Sequence, residues 1–184
     1  MKKRTVSIIS AAILAFFSSL LGCPTLSAQK YMYDAEFTQV HTLKVSGRTK
    51  EMKGHILYDG KDQLSMIYSQ PQGEFFIIDG PFVRMDLHGR QAELSADKLP
   101  QVKLQRATLL NCLSGNWEQA ALDNNAVASV SEKGGLRTVS IVAEKVVARG
   151  GYKSVVLTYR LSDGILTRMV LEEITGIEDT YEIK

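Results

Sequence analysis

Residues 54–80 read GHILYDGKDQLSMIYSQPQGEFFIIDG, and this stretch decides the fold. Gly54 opens a short run, His55-Ile56-Leu57-Tyr58, that ends at Asp59-Gly60, a pair suited to a tight hairpin turn. Leu64, Met66 and Tyr68 then alternate with Ser65, Ile67 and Ser69, the two-residue period of a strand, and Pro71 ends it. Phe75 to Ile78 is apolar at every position and runs into a second turn pair, Asp79-Gly80. Strands joined by such short connections pair antiparallel with their neighbours.

The same period extends in both directions. Upstream, Ala35, Phe37 and Gln39 alternate with Glu36 and Thr38, and Leu43 and Val45 flank Lys44. Downstream, Val83, Met85 and Leu87 alternate with Arg84 and Asp86 before a turn at His88-Gly89. Later strands are expected at Val127–Glu132, Leu136–Val147, Tyr152–Arg160, Ile165–Glu173 and Asp179–Ile183. Their turns are Lys133-Gly134-Gly135, Arg149-Gly150-Gly151 and Ser162-Asp163-Gly164. One segment differs. Across residues 101–122, Leu109, Leu110, Leu113, Trp117, Ala120 and Ala121 recur at three- and four-residue steps, the helical period. Pro100 precedes this segment, Asp123-Asn124-Asn125 closes it, and Gly115 is expected to split it in two.

A twisted sheet of about ten strands tends to curl or close. The fold class is therefore mainly β: an open or incomplete antiparallel β-barrel with an α-helical lid or plug. Phe37, Leu64, Met66, Tyr68, Phe75, Ile77, Met85, Leu157 and Tyr159 are the candidate inner-face residues lining an apolar cavity. Leu109, Leu110, Leu113 and Trp117 are the candidate lid face. Periodicity alone does not separate a movable lid from a fixed plug, because both bury the same residues.

The formal charge of the 184-residue chain is +2, too small to argue for nucleic-acid binding. Its location matters more. Lys2, Lys3 and Arg4 precede an apolar run from Val6 to Gly22, and no acidic residue occurs before Asp34. That is the pattern of a secretory signal. Cleavage after Ala28 leaves one domain over residues 29–184, takes the charge from +2 to −1, and retains only Cys112 of the two cysteines. The alternative is Leu20-Leu21-Gly22-Cys23 acting as a lipidation site that tethers the chain through Cys23. The chain is expected to be exported in either case, free after the first cleavage and anchored to a membrane after the second. A single remaining Cys makes no internal disulfide, and Cys112 is expected to pack as a small apolar group.

No catalytic arrangement emerges. His41, His55 and His88 are far apart and lack metal-ligand spacing, so they read as surface or strand-edge residues. There is no Gly-x-Ser-x-Gly elbow and no phosphate-binding Gly-Lys-Ser/Thr loop. Glu172-Glu173 and Glu178-Asp179 are adjacent pairs. Neighbours on a strand point to opposite faces, so neither pair can act as a joint acid and base, and a solvated edge is expected. The chain reads as a non-enzyme with no cofactor and no metal.

Taken in order, these motifs resemble those of the LolA-like outer-membrane lipoprotein carriers. The resemblance rests on Glu36-Phe37-Thr38-Gln39, the Gly54-led strand, the Leu64–Pro71 strand, Ile77-Ile78-Asp79-Gly80, and the late block from Gly164-Ile165-Leu166-Thr167-Arg168-Met169 to Asp179-Thr180-Tyr181. It implies a periplasmic chaperone whose incomplete barrel and helical lid enclose a hydrophobic cavity. It also implies acylated lipoproteins or lipids as cargo, an inner-membrane transporter as donor and an outer-membrane receptor as acceptor. A lipid-anchored receptor of the same fold, or an exported binding module or sensor, are the alternatives. Where the family has an Arg-Pro whose Arg hydrogen-bonds to the lid, this chain has Gly60-Lys61, and Lys cannot reproduce the Arg fork.

Overall fold

The structure, a computed structural model, describes residues 32–87, 89–144 and 152–184. The expected signal, both cleavage sites, His88 and the Arg149-Gly150-Gly151 turn lie outside the described residues. Six strands come first: β1 (Tyr33–Leu43), β2 (Arg48–Tyr58), β3 (Gln63–Gln70), β4 (Gln72–Asp79), β5 (Phe82–Leu87) and β6 (Arg90–Ser95). Two helices follow, α1 (Pro100–Leu113) and α2 (Trp117–Asp123). The chain then returns to strands β7 (Ala126–Lys133), β8 (Leu136–Ala143), β9 (Tyr152–Arg160), β10 (Leu166–Glu173) and β11 (Ile177–Ile183).

All the strands form one antiparallel sheet in the order β6-β5-β4-β3-β2-β1-β11-β10-β9-β8-β7. Consecutive strands pair with each other, except that β6 and β7 lie at opposite edges, and β11 returns to pair with β1 and brings the two ends of the described chain together. The sheet does not close. Its free edges are β6 and β7, and α1 and α2 form the connection between them. The helical segment thus bridges the one gap in the barrel wall.

Directly opposed residues of antiparallel strands share a face, so the register defines the inner surface as rows. Tyr33, Tyr58, Leu64, Ile78, Val83 and Leu94 form a row toward one end. Ile56, Met66, Phe76 and Met85 form the next. Further along, Gln39, Tyr181, Met169, Leu157 and Val139 are in line, followed by His41, Asp179, Leu171, Val155 and Ile141. Most of these side chains are buried, and a large apolar side chain taken fully out of water contributes about 1.5–3 kcal/mol. Within these rows the polar side chains are Gln39 and His41 on β1 and Asp179 on β11.

Two glycines of the opening stretch have distinct physical roles. Gly60 has φ +84°, and the Asp59 carboxylate accepts the Lys61 and Gln63 amides at 2.8 and 3.1 Å, which folds the β2–β3 turn. Gly54 lies opposite Phe37, and a Cβ added there would meet the Ile67 carbonyl oxygen and stand 2.8 Å from two carbons of the Phe37 ring. Only a bare backbone lets that ring lie flat across the strand.

The expected count of about ten strands becomes eleven among the described residues. The strand missing from the sequence reading is β6, Arg90-Gln91-Ala92-Glu93-Leu94-Ser95, an edge strand whose inward side carries Arg90, Ala92 and Leu94, with little apolar surface. Upstream, one strand runs unbroken to Leu43, and Val45 is an exposed turn residue. The helical segment divides at Gly115, where φ is +79°.

Candidate functional site

A cavity of about 390 Å³ lies between the inner face of the sheet and the first half of α1. One part of its wall is apolar. Met66, Phe76, Val83 and Met85 supply it from β3–β5, Leu94 from β6, and Val102 and Leu109 from α1. The other part is polar and aromatic. It comprises Gln39 and His41 on β1, Glu173 on β10, Asp179 and Tyr181 on β11, Tyr68 on β3 and Tyr152 on β9, with the apolar Leu171 and Ile177 among them. Arg90, Gln105 and Arg106 also reach the cavity, from β6 and α1.

The polar groups are tied together. Tyr68 Oη donates to Gln39 Oε1 at 2.6 Å, Gln39 Nε2 donates to Asp179 Oδ1 at 2.7 Å, and His41 Nδ1 lies 2.9 Å from that same oxygen. Burial pushes the Tyr68, Tyr152 and Tyr181 hydroxyls well above the usual tyrosine range, and the Asp179 charge acts in the same direction on each. These phenols are therefore neutral donors over all ordinary pH values.

Helix α1 has two functions along its length. Its last turns are core: Thr108, Cys112 and Leu113 are at most 1% exposed. Tyrosine hydroxyls from three strands hold the carbonyls at this end. Tyr33 Oη donates to Leu113 O at 3.1 Å, Tyr159 Oη to Cys112 O at 2.8 Å and Tyr58 Oη to Leu110 O at 3.4 Å. Closer to its start, Arg106 Nε donates to Gly80 O at 2.6 Å and fastens the helix to the β4–β5 turn. Each such bond is worth about 1 kcal/mol net. Together these ties hold both ends of α1 to the sheet. Here Lys61 donates only its backbone amide to the local turn, and its carbonyl lies 3.4 Å from Tyr58 Oη. Burial pushes the Cys112 thiol up to about 12, so it stays protonated and packs as an apolar group.

The sequence candidates divide three ways. Met66, Tyr68, Met85 and Leu109 meet at the cavity. Phe37, Leu64, Leu110, Leu113, Leu157 and Tyr159 are buried core, Phe37 and Leu113 bordering a void of only about 10 Å³. Trp117 begins α2 and packs partly buried against that core. Phe75 and Ile77 are corrections. They pair with Ile67 and Ser65 on the outer face, while Phe76 and Ile78 point inward. The run Phe75–Ile78 is apolar on both faces, so alternation could not set its phase; pairing with Met66 and Leu64 does.

Three polar readings also change. His41 faces the cavity and is not a surface residue. Glu172 and Glu178 do lie on the outer face, both bonded to Lys44, but Glu173 and Asp179 line the cavity and are not a solvated edge. Strand alternation separates each acidic pair as expected, and the return of β11 onto β1 turns one member of each inward. Sequence alternation does not find Tyr181, whose strand is mostly polar, nor Tyr152, which is out of phase with Leu157 and Tyr159 and is brought opposite Glu173 by a register shift. His55 lies on the outer face between Asp34 and Glu36, at 2.7 and 3.1 Å. Among the described residues no group of three or more potential ligands could hold a metal, and no helix is long and apolar enough to cross a membrane.

No protein-family model and no curated sequence matches the chain. Solved structures similar to it include a LolA superfamily protein from Nitrosomonas europaea, at 10% identity, TM-score 0.37 and 85% coverage of each chain. The lipoprotein LppX from Mycobacterium tuberculosis is also similar, at 10% identity and TM-score 0.33, covering 82% of this chain and 85% of that one. So is LprF from Mycobacterium bovis, at 13% identity and TM-score 0.31, covering 82% and 84%. Likeness at this level transfers neither residues nor function.

Proposed function

We propose that the protein is an exported carrier that shelters the acyl chain of a lipid or lipoprotein in the cavity beneath α1. The observation that carries this reading is the cavity itself: a largely apolar wall on β3–β6 and α1, edged by Arg90, Gln105 and Arg106, beside a mixed wall on β1, β10 and β11 where Gln39, His41, Glu173 and Asp179 stand among Leu171 and Ile177. That division suits a ligand with a hydrocarbon tail and a polar head. A volume of about 390 Å³ falls in the lower part of the ~300–1,000 Å³ range of small-molecule sites. Each methylene moved out of water contributes about 0.8 kcal/mol, so even a partly sheltered chain binds well. The methionines Met66 and Met85 suit varied chains, since Met repacks readily.

The basic-then-apolar start of the sequence supports export to the periplasm, with cleavage after Ala28. In this reading an inner-membrane transporter loads the carrier and an outer-membrane acceptor receives its cargo, as in the family its motifs resemble. A second reading is supported by Leu20-Leu21-Gly22-Cys23: a receptor of the same fold held on a membrane through acylated Cys23. The mass of the mature N-terminus separates the two. Mass spectrometry of organic extracts from the protein, purified from its own envelope, tests both readings at their root. Stoichiometric acyl lipid or acylated protein is expected, and repeated recovery of lipid-free protein that also refuses added lipid would refute acyl-chain binding.

A further inference from the structure

The tyrosines of the barrel divide by what their hydroxyls do. Tyr33, Tyr58 and Tyr159 donate to the carbonyls of α1, and Tyr68 donates to Gln39. The hydroxyls of Tyr152 and Tyr181 make no hydrogen bond to protein among the described residues, and both side chains line the cavity. Both residues are half-buried and their hydroxyls open into the cavity, so two phenol donors in the wall of one cavity are available to an acceptor on a ligand.

The neighbours of this pair narrow the acceptor's chemistry. Tyr152 opposes Glu173 across β9–β10, and Tyr181 lies two residues from Asp179 on β11. Both carboxylates line the same cavity. Both known bonds to Asp179, from Gln39 and His41, fall on Oδ1. A second anion placed against the tyrosines would be repelled, whereas an uncharged oxygen would not. The cations Arg90 and Arg106 come from β6 and α1, not from the strands that carry the tyrosines, and Arg106 Nε is already engaged with Gly80 O.

We propose that Tyr152 and Tyr181 form a subsite for the neutral carbonyl, ester or amide, that joins an acyl chain to its head, with the chain running on toward Met66 and Met85. This rests on the acyl-chain reading of the same cavity and adds to it a preference for esterified chains over free fatty acids. Glycerolipids and acylated lipoprotein N-termini share this carbonyl chemistry.

The test uses the mature chain stripped of lipid, with a fluorescent acyl probe displaced by three ligands of equal chain length. These are monopalmitoyl glycerol, its hexadecyl ether counterpart, and free palmitate. The ester should bind about tenfold tighter than the ether, the scale of one or two neutral hydrogen bonds. The double variant Tyr152→Phe, Tyr181→Phe should lose that preference while keeping its ether affinity. Palmitate should bind weakest, with Asp179→Asn narrowing its deficit. Because neither hydroxyl has a protein partner, the Phe variants should melt as the parent does. Equal binding of ester and ether, a preference that survives in the double Phe variant, or a marked loss of Tm in that variant would each overturn the subsite. Failure of all three ligands to bind would instead overturn the acyl-chain reading beneath it, and the subsite with it. A synthetic diacylated peptide run beside monopalmitoyl glycerol separates the sources: a tighter peptide assigns lipoprotein cargo, a tighter glyceride assigns free lipid, and both uphold the carbonyl subsite.

Discussion

Gly54 illustrates how one residue constrains the barrel. Its missing side chain is the floor on which the Phe37 ring lies, and Phe37 is 1% exposed. Gly54→Ala forces a methyl between that ring and the Ile67 carbonyl, and overpacking of this kind costs about 1–3 kcal/mol. Thermal melting should therefore show a clear fall in Tm, and an unchanged Tm would mean the ring moves freely. On the outer face, Glu172 accepts Lys153 Nζ at 2.9 Å and Lys44 Nζ at 3.0 Å, while Glu178, directly opposite, takes Lys44 at 2.8 Å. The two lysines hold the Glu172 carboxyl down to about 2, from an ordinary 4.5. Its folded pKa lies below its unfolded one, so its contribution to stability is present above pH 4.5 and is lost as pH falls toward 2. Glu172→Gln should flatten the Tm-against-pH profile in that window and leave its shape above pH 5 intact.

Helix α1 is where a lid and a plug meet in one element. The sequence groups Leu109, Leu110 and Leu113 together by period, but the fold separates them. Leu113 is enclosed by the barrel, whereas Val102 and Leu109 look into the cavity. Leu113→Glu places a charge in the core and should destabilise by more than about 4 kcal/mol, lowering Tm by ten degrees or so, or preventing folding. Val102→Ser should cost only a few degrees and weaken acyl-chain affinity several-fold. Equal effects of the two changes on fold and binding would show that the helix acts as a single unit. Legibility follows the same physics. Strands with clean alternation, such as Leu64–Tyr68 and Val83–Leu87, declare both their existence and their inward face. Phe75–Ile78 declares its existence but not its phase, since a doubly apolar strand fits either way round until Met66 and Leu64 fix its register. Strand β6 has too little apolar surface to be read at all.

At the scale of the molecule, the half-open barrel follows from β11 returning to β1 while the helices connect the free edges. That closure was not legible strand by strand. Nor was the cavity's polar wall, because Gln39, His41, Glu173 and Asp179 become neighbours only when the two chain ends pair. What was legible is the class of interior: an excess of inward apolar residues over a single short helical element. The central claim is that an acyl chain lies against the inside of β3–β5 and the start of α1. A palmitoyl ester carrying a photoreactive group near its chain end, cross-linked and mapped by peptide mass spectrometry, tests it directly. Labels on Met66, Phe76, Met85 or Val102, competed away by unlabelled ester, are the predicted result. Labels on the outer-face residues Ile67, Phe75 and Ile77, or labels that unlabelled ester does not displace, would contradict it.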